Sequence, residues 1–217
     1  MGAGFTGWVR RLLGLVPGRP AGSVRWIVAD CESSGLDPHR DRLLAIGAVA
    51  VEGDRISPAQ GFSVFLRQEI ASNRENILIH GISGTAQRTG VEPGDALRQF
   101  AAYAGDGPLV AFHASFDRAL LQRAFRTHGA TLRNPWLDLA GLAPALFPDL
   151  ARRCKALDDW LGAFGIDNPA RHDALSDAFA TALLFQVLVD SARKQGARSG
   201  SELFAVAARR HWLGGAH

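Results

Sequence analysis

Asp30 and Glu32 stand one residue apart where the apolar run Ile27–Ala29 ends, in the stretch Ile-Val-Ala-Asp-Cys-Glu-Ser-Ser-Gly. Side chains in a strand alternate between faces, so these two acids point to the same side. Two carboxylates at the end of a buried strand repel one another and lose hydration, and a bound divalent cation is the usual compensation. Oxygen donors of this kind favour Mg²⁺ or Mn²⁺ over zinc, and neither Cys31 nor Cys154 belongs to the carboxylate set. Ser33 and Ser34 follow with hydroxyls and backbone N–H groups for an anionic ligand, and Gly35 allows a sharp turn. Taken alone, the pair also fits an ordinary strand leaving the core through a polar turn.

Three more residues with acid–base chemistry lie far downstream. Asp117 follows the apolar run Leu109–Phe112 after a short connection, which places it in the first turn of a helix. A carboxylate there also simply complements the helix dipole. His172 and Asp177 are five apart in Arg-His-Asp-Ala-Leu-Ser-Asp-Ala, with a helix expected to begin between them.

The elements that must position these residues are legible as a pattern. Ile27 onward, Leu43 to Val51 and Arg55 to Leu66 read as three strands in succession, the last interrupted by Pro58 and Gly61 and placed at a sheet edge. Ile77 to Gly81 leads through a loop into a helix over Pro93 to Ala104. A short buried strand, Leu109 to Phe112, precedes a helix over Phe116 to His128, and Trp136 to Leu139 reads as another strand. Further helices are expected over Leu142 to Phe147, Leu157 to Phe164, Ser176 to Lys194 and Glu202 to Trp212. Strands first, then alternating strand and helix, indicate an α/β domain with a mixed sheet.

At 217 residues the chain suits one domain with a substantial core. Its net charge of +3 comes almost wholly from arginine, since Lys155 and Lys194 are the only lysines. Arginine suits phosphate recognition, but so small an excess does not itself specify a nucleic-acid partner. Two widely spaced cysteines form no metal-ligand pattern, and a reduced, cytoplasmic setting is the simplest reading. Residues 1–23 read as a separable basic amphipathic arm, in which Phe5, Trp8, Leu12 and Leu15 recur beside Arg10 and Arg11. Its apolar part is too short to span a bilayer, and no transmembrane segment is expected.

In this order and in these local contexts, Asp30, Glu32, Asp117, His172 and Asp177 resemble the signature of the DEDDh class of 3'-5' exonucleases, which includes the proofreading epsilon subunit of bacterial DNA polymerase III. The resemblance runs from about Ile27 to Leu184. Asp30-Cys-Glu-Ser-Ser-Gly with Arg42-Leu-Leu-Ala-Ile-Gly-Ala-Val resembles the first motif and second strand, and Ile79-His80-Gly81-Ile82 the family's His-Gly loop. Ala114-Ser-Phe-Asp117 is similar to the second motif, and His172-Asp-Ala with Asp177-Ala to the third. Serines replace the usual threonine pair, and Phe112-His113 stands where His-Asn is common.

The resemblance implies a ribonuclease H-like mixed sheet, three antiparallel strands then parallel ones, flanked by helices over 24–217. It implies two Mg²⁺ or Mn²⁺ ions, one held by Asp30, Glu32 and Asp177, the other by Asp30 and Asp117. His172 would take the proton from the attacking water, since an imidazole titrates near neutrality. The reaction implied is release of 5'-mononucleotides from the 3' end of single-stranded or mismatched DNA. Ser33, Ser34, His80 and Ile82 are the candidate end contacts, with His80 serving equally well as a cap on local backbone. The partners implied are DNA or RNA 3' ends and a DNA polymerase or other replication or repair protein. An exoribonuclease or small-oligonucleotide hydrolase stays open, as does a silent nucleic-acid-binding module accessory to a polymerase. Such a binder would gain nothing from concentrating negative charge where phosphate must approach.

Overall fold

Trp26, Ile27, Val28 and Ala29 are all buried, the continuous apolar run expected of a strand covered on both faces. They lie in β1 (Arg25–Ser33), the middle strand of the sheet in a computed structural model that describes residues 24–56 and 60–213, the last five as backbone only. On one side β1 pairs antiparallel with β2 (Leu43–Glu52), whose outer edge takes β3 (Arg55–Ile56) and β4 (Phe62–Phe65), both antiparallel. On the other side β5 (Leu109–Ala111) and then β6 (Trp136–Asp138) add in parallel. The expected mixed sheet is therefore present, with the interrupted third strand at its edge. Pro58 and the arm over 1–23 lie outside the described residues.

Helices cover both faces. Trp26, Val28, Val49 and Val51 pack with α5 (Leu139–Leu146), α6 (Leu157–Ala163), α7 (Ala174–Lys194) and α8 (Gly200–Leu213) through Leu142, Trp160, Phe185 and Leu203. Ile27, Ala29, Cys31 and Ile46 pack on the opposite face with α3 (Pro93–Ala104) and α4 (Ala114–Thr127) through Leu97, Phe100, Leu120 and Phe125. α7 is long and apolar enough to cross a membrane, yet more than half of its most apolar window is buried here, and it packs along β1 and β2 as a core helix.

The stretch before α3 is more ordered than its sequence pattern suggests. Two short helices, α1 (Arg74–His80) and α2 (Gly84–Thr89), replace the expected loop. Asn73 and Ser83 cap them by accepting hydrogen bonds from the Asn76 and Ala86 N–H groups. Gly81 ends α1 in the left-handed region, φ 68°, where a side chain would be strained. Helices of seven and six residues are too short for an apolar period to declare itself.

Candidate active site

Trp26 and Val28 turn toward the α7 layer, and Asp30 and Glu32 continue the same alternation. Opposite Asp30 on β2 is Gly47. A Cβ at Gly47 would lie 2.1 Å from the Ala174 carbonyl carbon, so the first turn of α7 can press onto the sheet only because this residue is glycine. Asp173 starts that turn, its carboxylate accepting from the Ser176 N–H at 2.8 Å. One turn further on, Asp177 meets the strand acids. Asp30, Glu32 and Asp177 each offer a carboxylate oxygen, and all three oxygens lie within 4.8 Å of one another.

Asp117 reaches the site from the other helical layer. β5 pairs with β1 only as far as Val28 and then ends at Ala111, which leaves the end of β1 without a strand on that side. α4 begins in that gap. His113 turns the chain into it in the left-handed conformation, φ 61°, and donates its N–H to Asp138 Oδ1 at 3.0 Å. Asp138 thus orients the turn that carries Asp117. Asp117 is buried, and its own backbone and Cys31 beside it favour the ionised form of its carboxyl. It stands outside the three-oxygen cluster, but it is the strongest of the charges acting on Asp30.

Crowding of these acids shows in their proton affinity. Burial, then the charges of Asp117, Glu32 and Asp177, hold the Asp30 carboxyl well above the usual carboxylate range, with Arg171 opposing them. Glu32 is pushed up to about 8, by burial first and then by Asp177 and Asp173. Burial raises Asp117 to about 7, against the opposing influence of its own backbone and Cys31. An all-oxygen set whose ionised forms are penalised in this way fits a hard divalent cation, which would relieve both penalties.

His172 is exposed beside this cluster, also left-handed at φ 64°. Its backbone N–H donates to Asp177 Oδ2 at 3.0 Å, and Asp177 Oδ1 accepts from Asn168 Nδ2 and from Arg171 at 2.6 Å. Neither Asn168 nor Arg171 stands out in the sequence, because nothing local marks them as partners of Asp177. A cavity of about 400 Å³ opens beside Glu32, walled by Phe65, Leu78, Ile79, Ile82 and His172.

The expected end contacts are arranged differently from one another. Ile82 and His80 both border the cavity, but the His80 ring is buried and turned into the protein. Its Nδ1 accepts from the Ile82 N–H at 3.0 Å, and its Nε2 lies 3.5 Å from Ser72 Oγ, which in turn bonds Gln87 Oε1 at 2.8 Å. His80 ends α1 rather than lying in a loop. Ser33 and Ser34 both spend their hydroxyl protons within the turn, on the Gly35 carbonyl and on Asp41. Arg123 anchors the same turn through the carbonyls of His39 and Asp41.

Residues 27–185 match the model of the RNase_T exonuclease family. The chain belongs to that family. Among curated relatives, a PolC-type DNA polymerase III of Thermotoga maritima is 28% identical over 183 residues, covering 84% of this chain and 13% of the relative. A DNA polymerase III subunit epsilon-like protein of Rhodobacter capsulatus is 29% identical over 180 residues, 82% of this chain and 25% of the relative. This exonuclease chain therefore spans a quarter or less of the length of those two proteins. In fold it is similar to E. coli Exonuclease I in complex with a dT13 oligonucleotide, with a TM-score of 0.68, 16% identity, and coverage of 79% of this chain and 42% of that one. It is also similar to Exonuclease X in complex with 5' overhanging duplex DNA, with a TM-score of 0.66, 20% identity, and coverage of 84% and 99%.

Proposed function

We propose that this exonuclease domain removes 5'-mononucleotides from the 3' end of single-stranded or mismatched DNA with the help of two Mg²⁺ or Mn²⁺ ions. The observation that carries the reading is the convergence of Asp30, Glu32 and Asp177, drawn from a strand and a helix, with Asp117 beside Asp30. In this reading Asp30, Glu32 and Asp177 hold one ion and Asp30 with Asp117 the other. Divalent ions bound there would lower the pKa of water and stabilise charge on the departing oxygen.

The protein's own groups do the rest. His172, exposed at the rim and fixed through its backbone to Asp177, accepts the proton of the attacking water and returns it to solvent. Ile82, with exposed Leu78, Ile79 and Phe65, offers apolar contact to the terminal base without reading its edge. His80 supports that wall by holding the Ile82 N–H. Ser33 and Ser34, their protons engaged, offer lone pairs to a sugar hydroxyl, Ser34 with one left after accepting from the Arg42 N–H. The polymerase III relatives favour DNA and a replication or repair polymerase as partners, and the free, buried Cys31 and Cys154 suit a reduced, cytoplasmic setting.

Digestion of 3'- and 5'-labelled single-stranded DNA, mismatched duplex and short RNA with Mg²⁺ tests this reading. Stepwise loss from the 3' end of DNA is expected, abolished in Asp30→Ala and His172→Ala. Retained activity in both variants, or shortening from the 5' end, would sink it.

A further inference from the structure

Arg171, one residue before His172, touches the carboxylate cluster directly through Asp177. Its guanidinium is shared. One terminal nitrogen binds Asp177 Oδ1 at 2.6 Å, while Nε faces Asp158 Oδ1 at 2.7 Å without hydrogen-bond alignment. The two carboxylates differ sharply in setting. The Asp177 side chain is 5% exposed and belongs to the oxygen cluster, whereas that of Asp158 is 57% exposed, in the first turn of α6. Arg171 is thus a bridge between a surface acid and a cluster acid.

We propose that Arg171 is a built-in counter-ion of the carboxylate cluster, shared between Asp158 and Asp177, and that it sets divalent-cation affinity by competing for Asp177. This rests on the metal-site reading above and extends it to a residue outside the ligand set. Without a divalent ion, the guanidinium offsets part of the negative charge gathered at the end of β1. A divalent ion and Arg171 both draw on the negative charge of the Asp177 carboxylate, so each weakens the other's hold. Asp158 gives the guanidinium a second acceptor and so limits its hold on Asp177. Asp177 keeps two other donors, Asn168 Nδ2 and the His172 N–H, so its placement does not depend on Arg171 alone.

Two substitutions pull in opposite directions. Arg171→Gln removes the competitor. Removing one positive charge at contact range of a buried cluster predicts Mn²⁺ affinity tighter on the order of tenfold. The same variant should melt at a lower temperature than the parent in EDTA at pH 8, where the acids lose their counter-ion. Asp158→Asn leaves Arg171 with Asp177 as its acceptor and is expected to weaken Mn²⁺ binding several-fold. Mn²⁺ titration of the full chain by electron paramagnetic resonance, with circular dichroism to verify folding, reads both. Unchanged or weaker binding in Arg171→Gln, or shifts of the same sign in the two variants, would overturn the counter-ion role. No Mn²⁺ binding by the parent chain would instead overturn the metal-site reading, and the competition with it.

Discussion

Gly47→Ala is a single methyl added at the point where α7 rests on the sheet. The new Cβ would lie 2.1 Å from the Ala174 carbonyl carbon, 2.2 Å from its oxygen and 2.3 Å from the Leu175 nitrogen. All three are backbone atoms, so no rotamer change relieves the overlap. Comfortable carbon contact is at about 3.5 Å, so the start of α7 must retreat by roughly 1.4 Å. Overpacking of this kind costs about 1–3 kcal/mol of stability. The larger effect is on the site, because the turn that is displaced carries Asp177 toward Asp30 and Glu32. A misplacement of about 1 Å can lower turnover on the order of a hundredfold. Mg²⁺-dependent cleavage of an end-labelled oligonucleotide and thermal unfolding measure the two effects on one preparation. Gly162→Ala, where an added Cβ meets nothing within 4 Å in a helical position, is the control. It should be neutral or stabilising by up to about 1 kcal/mol with activity intact. Parental turnover and melting temperature in Gly47→Ala would show that α7 does not need this close approach to deliver Asp177.

Three further outcomes follow from the site. The folded-state pKa of Glu32, about 8, and of Asp117, about 7, lie above their ordinary values, so the folded chain holds protons that the unfolded chain has released. In EDTA the melting temperature should therefore fall as pH rises from 5 to 8, and Mn²⁺ should restore it more at pH 8 than at pH 5. A flat profile would contradict the crowding. His80→Ala removes the acceptor for the Ile82 N–H and one side of the Ser72–Gln87 network, at about 1–3 kcal/mol by denaturant unfolding. A raised KM with unchanged stability would instead make the ring a direct substrate contact. His113→Asn places a residue that tolerates φ 61° where histidine makes no side-chain cap, and should stabilise by up to about 1 kcal/mol without altering cleavage. Loss of activity would mean that the His113 ring, not its backbone, serves the site.

The last of these bears on how much the sequence shows. The Phe112-His113 departure looks like a change of chemistry, yet what the position demands is a left-handed residue in a turn. Asp-x-Glu on one strand face, a helix opening just before Asp177 and the alternation of strands and helices are local matters, decided within four or five residues by pleat and capping. They are legible in the chain, as is the ordered set of five residues on which the resemblance to the exonuclease family rests. Tertiary structure alone decided which side chains become neighbours. It joined α7 to β2 through the missing side chain of Gly47, and it brought Asp117 in from the opposite layer because β5 ends early. It also turned His80 inward toward Ser72 and set Arg171 between Asp158 and Asp177. The joins of α7 to Gly47 and of Asp117 to the end of β1 have no period or spacing to betray them, because each depends on sheet order and on the face against which a distant helix settles.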